Sequence, residues 1–286
     1  MKRVDLHCHT IYSDGSKTPE ELIHMCQEKN ITTFAITDHD NIEGSKLLIQ
    51  NHPDDMTVYS GVELTIKVPK GRMHMLGYNF DLNNKDLNEY LINNKKTSIY
   101  NVLLYIEIIK KDYGIIITNE EIERMINKPG NVGRPEIAAL LVLKGICKNI
   151  DEAFDRYLTP AYIKASKVKK GITPEEGIQY IRNAGGIPVL AHPNSLLLDN
   201  NELDTTIKKL TEIGLGGIES THINENSQER KYYHYLAQKY HLLETGGTDY
   251  HGDAKPDVEL GTGRNHNIDI KEKQLTFTKR IKPRYK

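Results

Sequence analysis

Short apolar runs rich in β-branched residues alternate with helical segments in the N-terminal part of the chain. Val4 and Leu6 belong to the first run, and similar runs occupy 31–37, 56–62 and 73–78. A helix with an apolar stripe is predicted after the first run, and a further helical stretch after the second. This alternation is typical of an α/β fold with a parallel sheet.

Two Thr-Pro-Glu-Glu segments indicate helix N-termini, one beginning at Thr18 and the other at Thr173. Threonine is a good N-cap residue and proline suits the first helical position. The second glutamate, Glu21 or Glu176, completes a capping box. The later helix is expected to run to Asn183, where two glycines end it.

The pattern becomes helical after Asn79, with little strand signal. Four helices are predicted there: over 91–111, from Asn119, over 134–144 and over 151–158. We therefore expect residues 81–162 to form a helical insert in a domain made by residues 1–80 and 163–286.

Strand signals return in the last part of the chain. Strands are predicted over 187–190, 217–219 and 242–243, with helices near 202–213 and 228–239 between them. The basic tail from Lys271 is predicted to be a solvated terminus rather than a binding patch.

Composition narrows the possible partners. The chain has 286 residues, with 38 Lys and Arg against 39 Asp and Glu, so its net charge is close to zero. This argues against a protein that holds long duplex nucleic acid by bulk electrostatics. The three cysteines, Cys8, Cys26 and Cys147, show no pairing pattern, which suggests a reducing compartment. With no long apolar run and no apolar leader, a cytoplasmic protein that does not enter membranes is expected.

Histidines and acidic residues recur where predicted strands end. His7 and His9 stand two apart, and Asp14 follows five residues later. A His-x-His pair alone is a weak signal, since surface histidines also produce it. Further candidates accompany the later strands: His39, Glu63, His74, His192, Asp249 and His251. The carboxyl ends of strands in a parallel α/β barrel gather on one face. These donors are too many for one metal, so two or three ions with bridging carboxylates are predicted.

As an ordered set, these segments resemble the PHP (polymerase and histidinol phosphatase) family. The segments are His7-Cys8-His9, Thr37-Asp38-His39-Asp40, Gly61-Val62-Glu63, His74, Ala191-His192-Pro193 and Asp249-Tyr250-His251. A Gly-Arg-Pro segment at 133–135 resembles a narrower branch, which includes nucleoside 3′,5′-bisphosphate phosphatases and 5′-3′ exoribonucleases. The resemblance implies a distorted (β/α)7 barrel with an inserted helical subdomain. It also implies two or three divalent ions of manganese, iron or zinc.

The same resemblance implies a role for each matching position. One ion would be held by His7, His9, Glu63 and Asp249, a second by Asp14, His39 and His251, and a third by Glu63, His74 and His192. Catalysis would depend on Asp14, His39, Arg134 and His192, with Asp40 orienting a ligand imidazole. Candidate substrate contacts are Arg134, Asn131 and His222, so the helical insert is expected to contribute to the substrate site. Ser45 and Lys46, one loop beyond His39, are further candidates for contact with phosphate, although a solvated helix face is the favoured interpretation for both.

The implied activity is metal-dependent hydrolysis of phosphate esters of nucleotides, either a 3′,5′-bisphosphate or the 5′ end of short RNA. A small-metabolite phosphatase such as histidinol phosphatase shares the metal motifs and remains an alternative. A PHP domain that lost catalysis and serves structure is a third possibility. One departure from the branch concerns substrate binding: Asn226-Ser227 occupies the place of an expected His-Thr pair, and His222 is a possible substitute.

Overall fold

The structure is a computed structural model that describes residues 2–165 and 171–285. Met1, residues 166–170 and Lys286, which fall within the two predicted barrel segments, lie outside the described residues. The chain divides into two compact units. The described part of one unit is 2–89 with 171–285, and that of the other is 90–165.

The first unit contains all the strands of the described residues. They are β1 Arg3–Asp5, β2 Ile31–Ala35, β3 Thr57–Tyr59, β4 Gly61–Ile66, β5 Met73–Tyr78, β6 Ile187–Leu190, β7 Gly217–His222, β8 Leu243–Gly247, β9 Val258–Glu259 and β10 Gly263–Arg264.

Helices occur in both units. They are α1 Pro19–Glu28, α2 Glu43–Asn51, α3 Lys85–Tyr113, α4 Asn119–Ile126, α5 Arg134–Leu143, α6 Ile150–Ala153, α7 Thr159–Lys164, α8 Pro174–Asn183, α9 Asn200–Glu212, α10 Ser227–Lys239 and α11 Thr276–Arg280. A π-helical turn at Phe154–Leu158 joins α6 to α7, and 3₁₀ turns lie at Pro193–Leu196 and Gly252–Ala254.

The capping predictions are confirmed at both Thr-Pro-Glu-Glu segments. The Thr18 hydroxyl accepts the Glu21 backbone N–H at 3.2 Å, and the Glu21 carboxylate accepts the Thr18 N–H at 2.7 Å. The same reciprocal pair joins Thr173 and Glu176 at 3.2 and 2.8 Å. Each box pairs two backbone N–H groups that a helix N-terminus otherwise leaves without acceptors.

Strand direction differs from the expected parallel sheet. Strands β1, β2 and β3 form a parallel three-stranded sheet, and β6, β7 and β8 are parallel within a five-stranded sheet. Strands β4, β5 and β6, however, pair antiparallel. The connection 67–72 between β4 and β5 explains the first reversal, because a parallel crossover needs a dozen or more residues.

The apolar run 56–62, predicted as one strand, is two strands separated by Ser60. The segment before Ser60 pairs with β2, and the segment after it pairs with β5 in the other sheet. Two isolated bridges connect strand ends across the sheets, Cys8 with Tyr250 and His39 with Glu63. The run therefore passes from one sheet to the other close to the candidate ligands.

The C-terminal tail packs into the first unit, so its prediction as a solvated terminus is wrong. The ring of Phe277 is fully buried, with its centroid 5.0 Å from that of Tyr59 and 5.3 Å from that of Tyr78. The Tyr59 hydroxyl also donates to the carbonyl of Ile281 at 2.9 Å. Because aromatic burial stabilises a core strongly, the tail forms part of the fold.

The second unit consists of helices and connecting turns in its described residues. Its own apolar core includes Val102, Ile106, Ile109, Ile137, Leu141 and Leu158. Among all described residues, no helix is both long enough and apolar enough to cross a bilayer, the 29-residue α3 included.

Candidate metal centre

The nine predicted metal ligands all lie in the first unit, at strand ends or in the loops that follow them. They are His7 and His9 after β1, Asp14 in the next loop, His39 after β2, Glu63 on β4, His74 on β5, His192 after β6, and Asp249 and His251 after β8. The structure brings these residues together, although the chain separates them widely.

Glu63 lies at the middle of the cluster and is almost completely buried. Its Oε1 atom is 2.9 Å from His74 Nδ1 and 2.9 Å from His192 Nε2. Its Oε2 atom is 3.2 Å from the Nε2 atoms of both His7 and His9, and 3.1 Å from His39 Nδ1. One carboxylate therefore faces imidazole rings carried by several different strands or their loops.

Two further carboxylates extend the cluster on either side of His9. Asp249 Oδ1 lies 3.2 Å from His9 Nε2 and 3.6 Å from His7 Nε2. Asp14 Oδ1 lies 3.2 Å from His251 Nε2 and 3.6 Å from His9 Nδ1. Asp14 is half exposed, so this end of the cluster is open to solvent.

The arrangement suits divalent cations. The Nε2 atoms of His7 and His9 and Oε2 of Glu63 are buried and have no hydrogen-bond partner among the described residues. Leaving such groups unsatisfied costs free energy, and a cation that accepts their lone pairs removes that cost. Three groups place one ligand atom from each member within 4.8 Å of one another: His7, His9 and Glu63; His39, Glu63 and His74; and His9, Asp14, His39 and His251. Imidazole and carboxylate donors suit zinc, manganese and iron.

Burial and mutual contact shift the pKa values of these groups in opposite directions. Burial lowers the pKa of His39 to about 3, although Glu63 opposes the shift. Burial also disfavours the charged form of His9, but contacts with Asp249 and Glu63 outweigh it and raise the pKa to about 10. Burial raises the pKa of Glu63, yet His39, His7 and His74 together hold it well below its usual range. Without a metal, His9 is thus protonated beside an ionised Glu63.

Buried carboxylates that were not assigned a role from the sequence fix the loops that carry the ligands. Asp38 accepts the Thr10 N–H and hydroxyl, both at 2.7 Å, and the Ser13 hydroxyl at 2.6 Å. Asp5 accepts the Thr248 hydroxyl at 2.6 Å and its N–H at 2.9 Å. Both acids stand next to candidate ligands in the sequence, Asp5 before His7-Cys8-His9 and Asp38 before His39. Because a buried carboxylate needs hydrogen-bond donors around it, this position could have indicated that the two acids hold the ligand loops.

Glu219 on β7 is a third such carboxylate, and sequence reasoning missed it. It is fully buried, and its Oε1 atom lies 2.9 Å from His7 Nδ1. Its Oε2 atom accepts the backbone N–H of His192 at 2.8 Å. The signal available in the sequence was an acidic residue directly after Gly217 and Ile218, at the end of the strand predicted over 217–219.

Asp40, expected to orient a ligand imidazole, accepts the Thr65 N–H at 3.0 Å and the Thr65 hydroxyl at 2.8 Å. The backbone of Asp40 has a φ of +47°. These contacts tie the loop after β2 to β4 next to Glu63.

The candidate substrate contacts of the first unit lie in different environments. Ser45 is fully buried and its hydroxyl accepts the Gly61 N–H at 2.9 Å, which places it in the core between α2 and β4. Lys46 pairs with Glu43 at 2.7 Å. His222 is buried at the edge of the cluster, with its Nε2 atom 3.4 Å from Asp249 Oδ2.

Arg134 and Asn131 belong to the helical unit. Arg134 is the first residue of α5, and its guanidinium carbon lies 4.4 Å from the centroid of the Tyr162 ring and 5.5 Å from that of Phe154. Asn131 lies three positions before Arg134 in the chain. Stacking on aromatic rings orients the planar guanidinium while leaving its edge N–H groups available for hydrogen bonds.

Comparisons with known proteins agree with this geometry. A family model described as the PHP domain matches residues 5–262. The chain is 29% identical to the 5′-3′ exoribonuclease Rnm of Escherichia coli (strain K12), over 90% of this chain and 87% of that protein. It is 24% identical to a 3′,5′-nucleoside bisphosphate phosphatase of Chromobacterium violaceum, over 91% of each chain.

A solved structure from Bifidobacterium adolescentis, described as a candidate metal-dependent phosphoesterase, superposes with a TM-score of 0.74. Its sequence is 26% identical, and the match covers 92% of both chains. Together with the family match over most of the chain, this similarity makes the protein a metal-dependent hydrolase of phosphoric esters. The chain belongs to the PHP domain family.

Proposed function

We propose that the protein hydrolyses phosphate esters of nucleotides, either a nucleoside 3′,5′-bisphosphate or the 5′ end of a short RNA. The observation that supports this most directly is the set of imidazole rings around the buried Glu63 carboxylate. The exoribonuclease and bisphosphate phosphatase activities of similar proteins suggest the substrate class.

Three ions are proposed, each with its own ligands. The first would be held by His7, His9, Glu63 and Asp249, the second by Asp14, His39 and His251, and the third by Glu63, His74 and His192. Glu63 would bridge two positions, which fits the approach of different rings to its two oxygens. Manganese, iron and zinc all suit these donors.

Divalent ions at such a site activate water at neutral pH and neutralise the charge of the phosphoryl group. The chain itself holds the ligand rings in place, through Asp38 and Asp5 on the loops and Glu63 in the centre. The exposed side of Asp14 leaves room for substrate at that end of the cluster.

Arg134 is proposed to bind a phosphate group of the substrate through two parallel hydrogen bonds. Asn131 and Lys46 are further proposed contacts. His222 is a further proposed contact, with Nε2 as its donor atom, because the Asn224 N–H donates to its Nδ1 at 3.3 Å.

The finer description of the fold is part of the same proposal. The three-stranded and five-stranded sheets of the first unit would form a distorted (β/α)7 barrel, and the bridges Cys8–Tyr250 and His39–Glu63 support their association. Residues 81–162 would be a helical insert between the barrel segments 1–80 and 163–286. The free, buried cysteines Cys8, Cys26 and Cys147 support a proposed cytoplasmic location.

The test compares two substrates with the manganese-loaded protein. Phosphate release from adenosine 3′,5′-bisphosphate is measured beside shortening of a 5′-phosphorylated RNA of a few nucleotides. Phosphate release alone identifies a phosphatase, and sequential release of mononucleotides identifies an exoribonuclease. Glu63→Gln, purified in parallel, controls for contaminating hydrolases because it removes the central charge.

Two results contradict the proposal. Turnover of histidinol phosphate with neither nucleotide substrate cleaved would make the protein a small-metabolite phosphatase. Stoichiometric metal binding without activity on any of the three substrates would favour a structural domain.

A further inference from the structure

Glu219 contacts two candidate ligands at once, each through a different carboxylate oxygen. Oε1 lies 2.9 Å from His7 Nδ1, and Oε2 accepts the His192 N–H at 2.8 Å. Residues 217–220 of β7 are buried, so these contacts are shielded from water.

The contact with His7 determines which ring nitrogen carries the proton. An ionised carboxylate only accepts hydrogen bonds, so a neutral His7 ring beside Glu219 would donate from Nδ1 and keep its lone pair on Nε2. Its Nε2 lone pair then faces Glu63 Oε2 at 3.2 Å and Asp249 Oδ1 at 3.6 Å. This is the tautomer that a metal ligand needs at that position.

The contact with His192 fixes an uncommon backbone conformation. His192 has a φ of +24° and a ψ of 71°, a region that non-glycine residues seldom occupy. In this conformation its Nε2 reaches Glu63 Oε1 at 2.9 Å, and its Nδ1 lies 2.9 Å from the Ser195 hydroxyl. The hydrogen bond to Glu219 is thus one of the interactions that hold a strained residue in place.

We infer that Glu219 is a positioning residue that couples the ends of β1 and β6, so that metal binding at His7 and at His192 depends on this one side chain. The inference rests on the proposed function, which assigns both histidines as metal ligands. It adds a residue that acts through them without touching the ions.

The test is Glu219→Gln, measured with manganese and zinc alone as probes. The amide keeps the size of the side chain but has only one acceptor oxygen. Its NH₂ group must therefore face either the ring Nδ1 of His7 or the backbone N–H of His192. We expect metal affinity, measured by chelator competition, to fall by about 10- to 100-fold. The metal content after dialysis, measured by mass spectrometry, should fall as well.

Glu244→Gln is the matched control. Glu244 is a buried glutamate on the neighbouring strand β8 and accepts the Ser220 hydroxyl at 3.0 Å. It also lies 2.8 Å from Nδ1 of His234, which is not a candidate ligand. This variant should retain the affinity and metal content of the wild type.

The outcomes separate the inference from the proposed function. Wild-type protein that binds no divalent cation overturns both. Wild-type binding with unchanged affinity and metal content in a folded Glu219→Gln overturns the inference alone. If that variant does not fold, the tautomer of His7 in the zinc-loaded wild type decides by ¹⁵N NMR. A proton on Nδ1 supports the inference, and a proton on Nε2 overturns it.

Discussion

His192 Nε2 lies 2.9 Å from Glu63 Oε1, although the two residues are 129 positions apart in the chain. His74 Nδ1 approaches the same oxygen at the same distance. A single buried carboxylate oxygen therefore contacts both a ring on β5 and a ring that follows β6. We expect a substitution of either histidine to alter the position of the other ring.

Replacing His192 by alanine should remove one ion and most activity while leaving the protein folded. The ring is held by Glu63 and Ser195 at the edge of the cluster, and its loss leaves the apolar core intact. We expect metal content to fall by about one ion per chain and turnover to fall by at least about 100-fold. Metal analysis and the melting temperature provide the measurement.

His234→Ala is the control for that experiment, because His234 is largely exposed and, among the carboxylates of the described residues, pairs only with Glu244. It should keep wild-type metal content and turnover. Unchanged metal content in His192→Ala would refute the ligand assignment.

Replacing Arg134 by alanine should raise KM for the nucleotide substrate by about tenfold or more, since a charge-assisted pair with phosphate is lost. Arg134→Lys should recover only part of the effect, because an ammonium group cannot make two parallel hydrogen bonds. Steady-state kinetics separate KM from kcat.

Arg156→Ala is the matched control, since Arg156 also lies over an aromatic ring, that of Tyr157 at 5.1 Å. Equal KM values for both alanine variants would remove the proposed role of Arg134.

Metal binding at pH 7 should release a proton from the cluster. In the metal-free protein the pKa of His9 is raised to about 10, so the ring is protonated at neutral pH. A metal needs the Nε2 lone pair, so proton and metal compete and apparent affinity should fall as the pH is lowered, by about tenfold per unit for one proton. Calorimetry in buffers of different ionisation enthalpy measures the release. An identical binding enthalpy in every buffer would show that no proton leaves.

Gly247→Ala should destabilise the fold and weaken metal binding together. A Cβ atom there would overlap the backbone N of His7 and lie 2.5 Å from its Cβ, so the segment after β1 that carries His7 must move. We expect the free energy of unfolding to fall by about 1–3 kcal/mol. Gly145→Ala is the comparison: it has φ +69° with nothing within 4 Å, so it should cost about 1 kcal/mol of backbone strain only. Denaturant unfolding and metal titration measure both effects, and unchanged metal affinity in Gly247→Ala would contradict the prediction.

Local features of the fold were predictable because their causes are local. Thr18 and Thr173 begin helices with capping boxes as expected, since the interacting groups lie within three residues of each other. The antiparallel direction of β5 was missed because the alternating pattern was extended past the short 67–72 connection. The burial of Phe277 depends on contacts with Tyr59 and Tyr78, which no local pattern records.

The sequence by itself determined the chemistry of the candidate site. Histidines and carboxylates at predicted strand ends, such as His7, Glu63 and Asp249, supply nitrogen and oxygen donor atoms. The residue type fixes these donor atoms independently of how the chain packs. Only the tertiary structure decided which atoms face each other, that Glu219 holds His7 and His192, and that Ser45 belongs to the core. Those relationships join residues far apart in the chain, and they follow from how the sheets and helices pack.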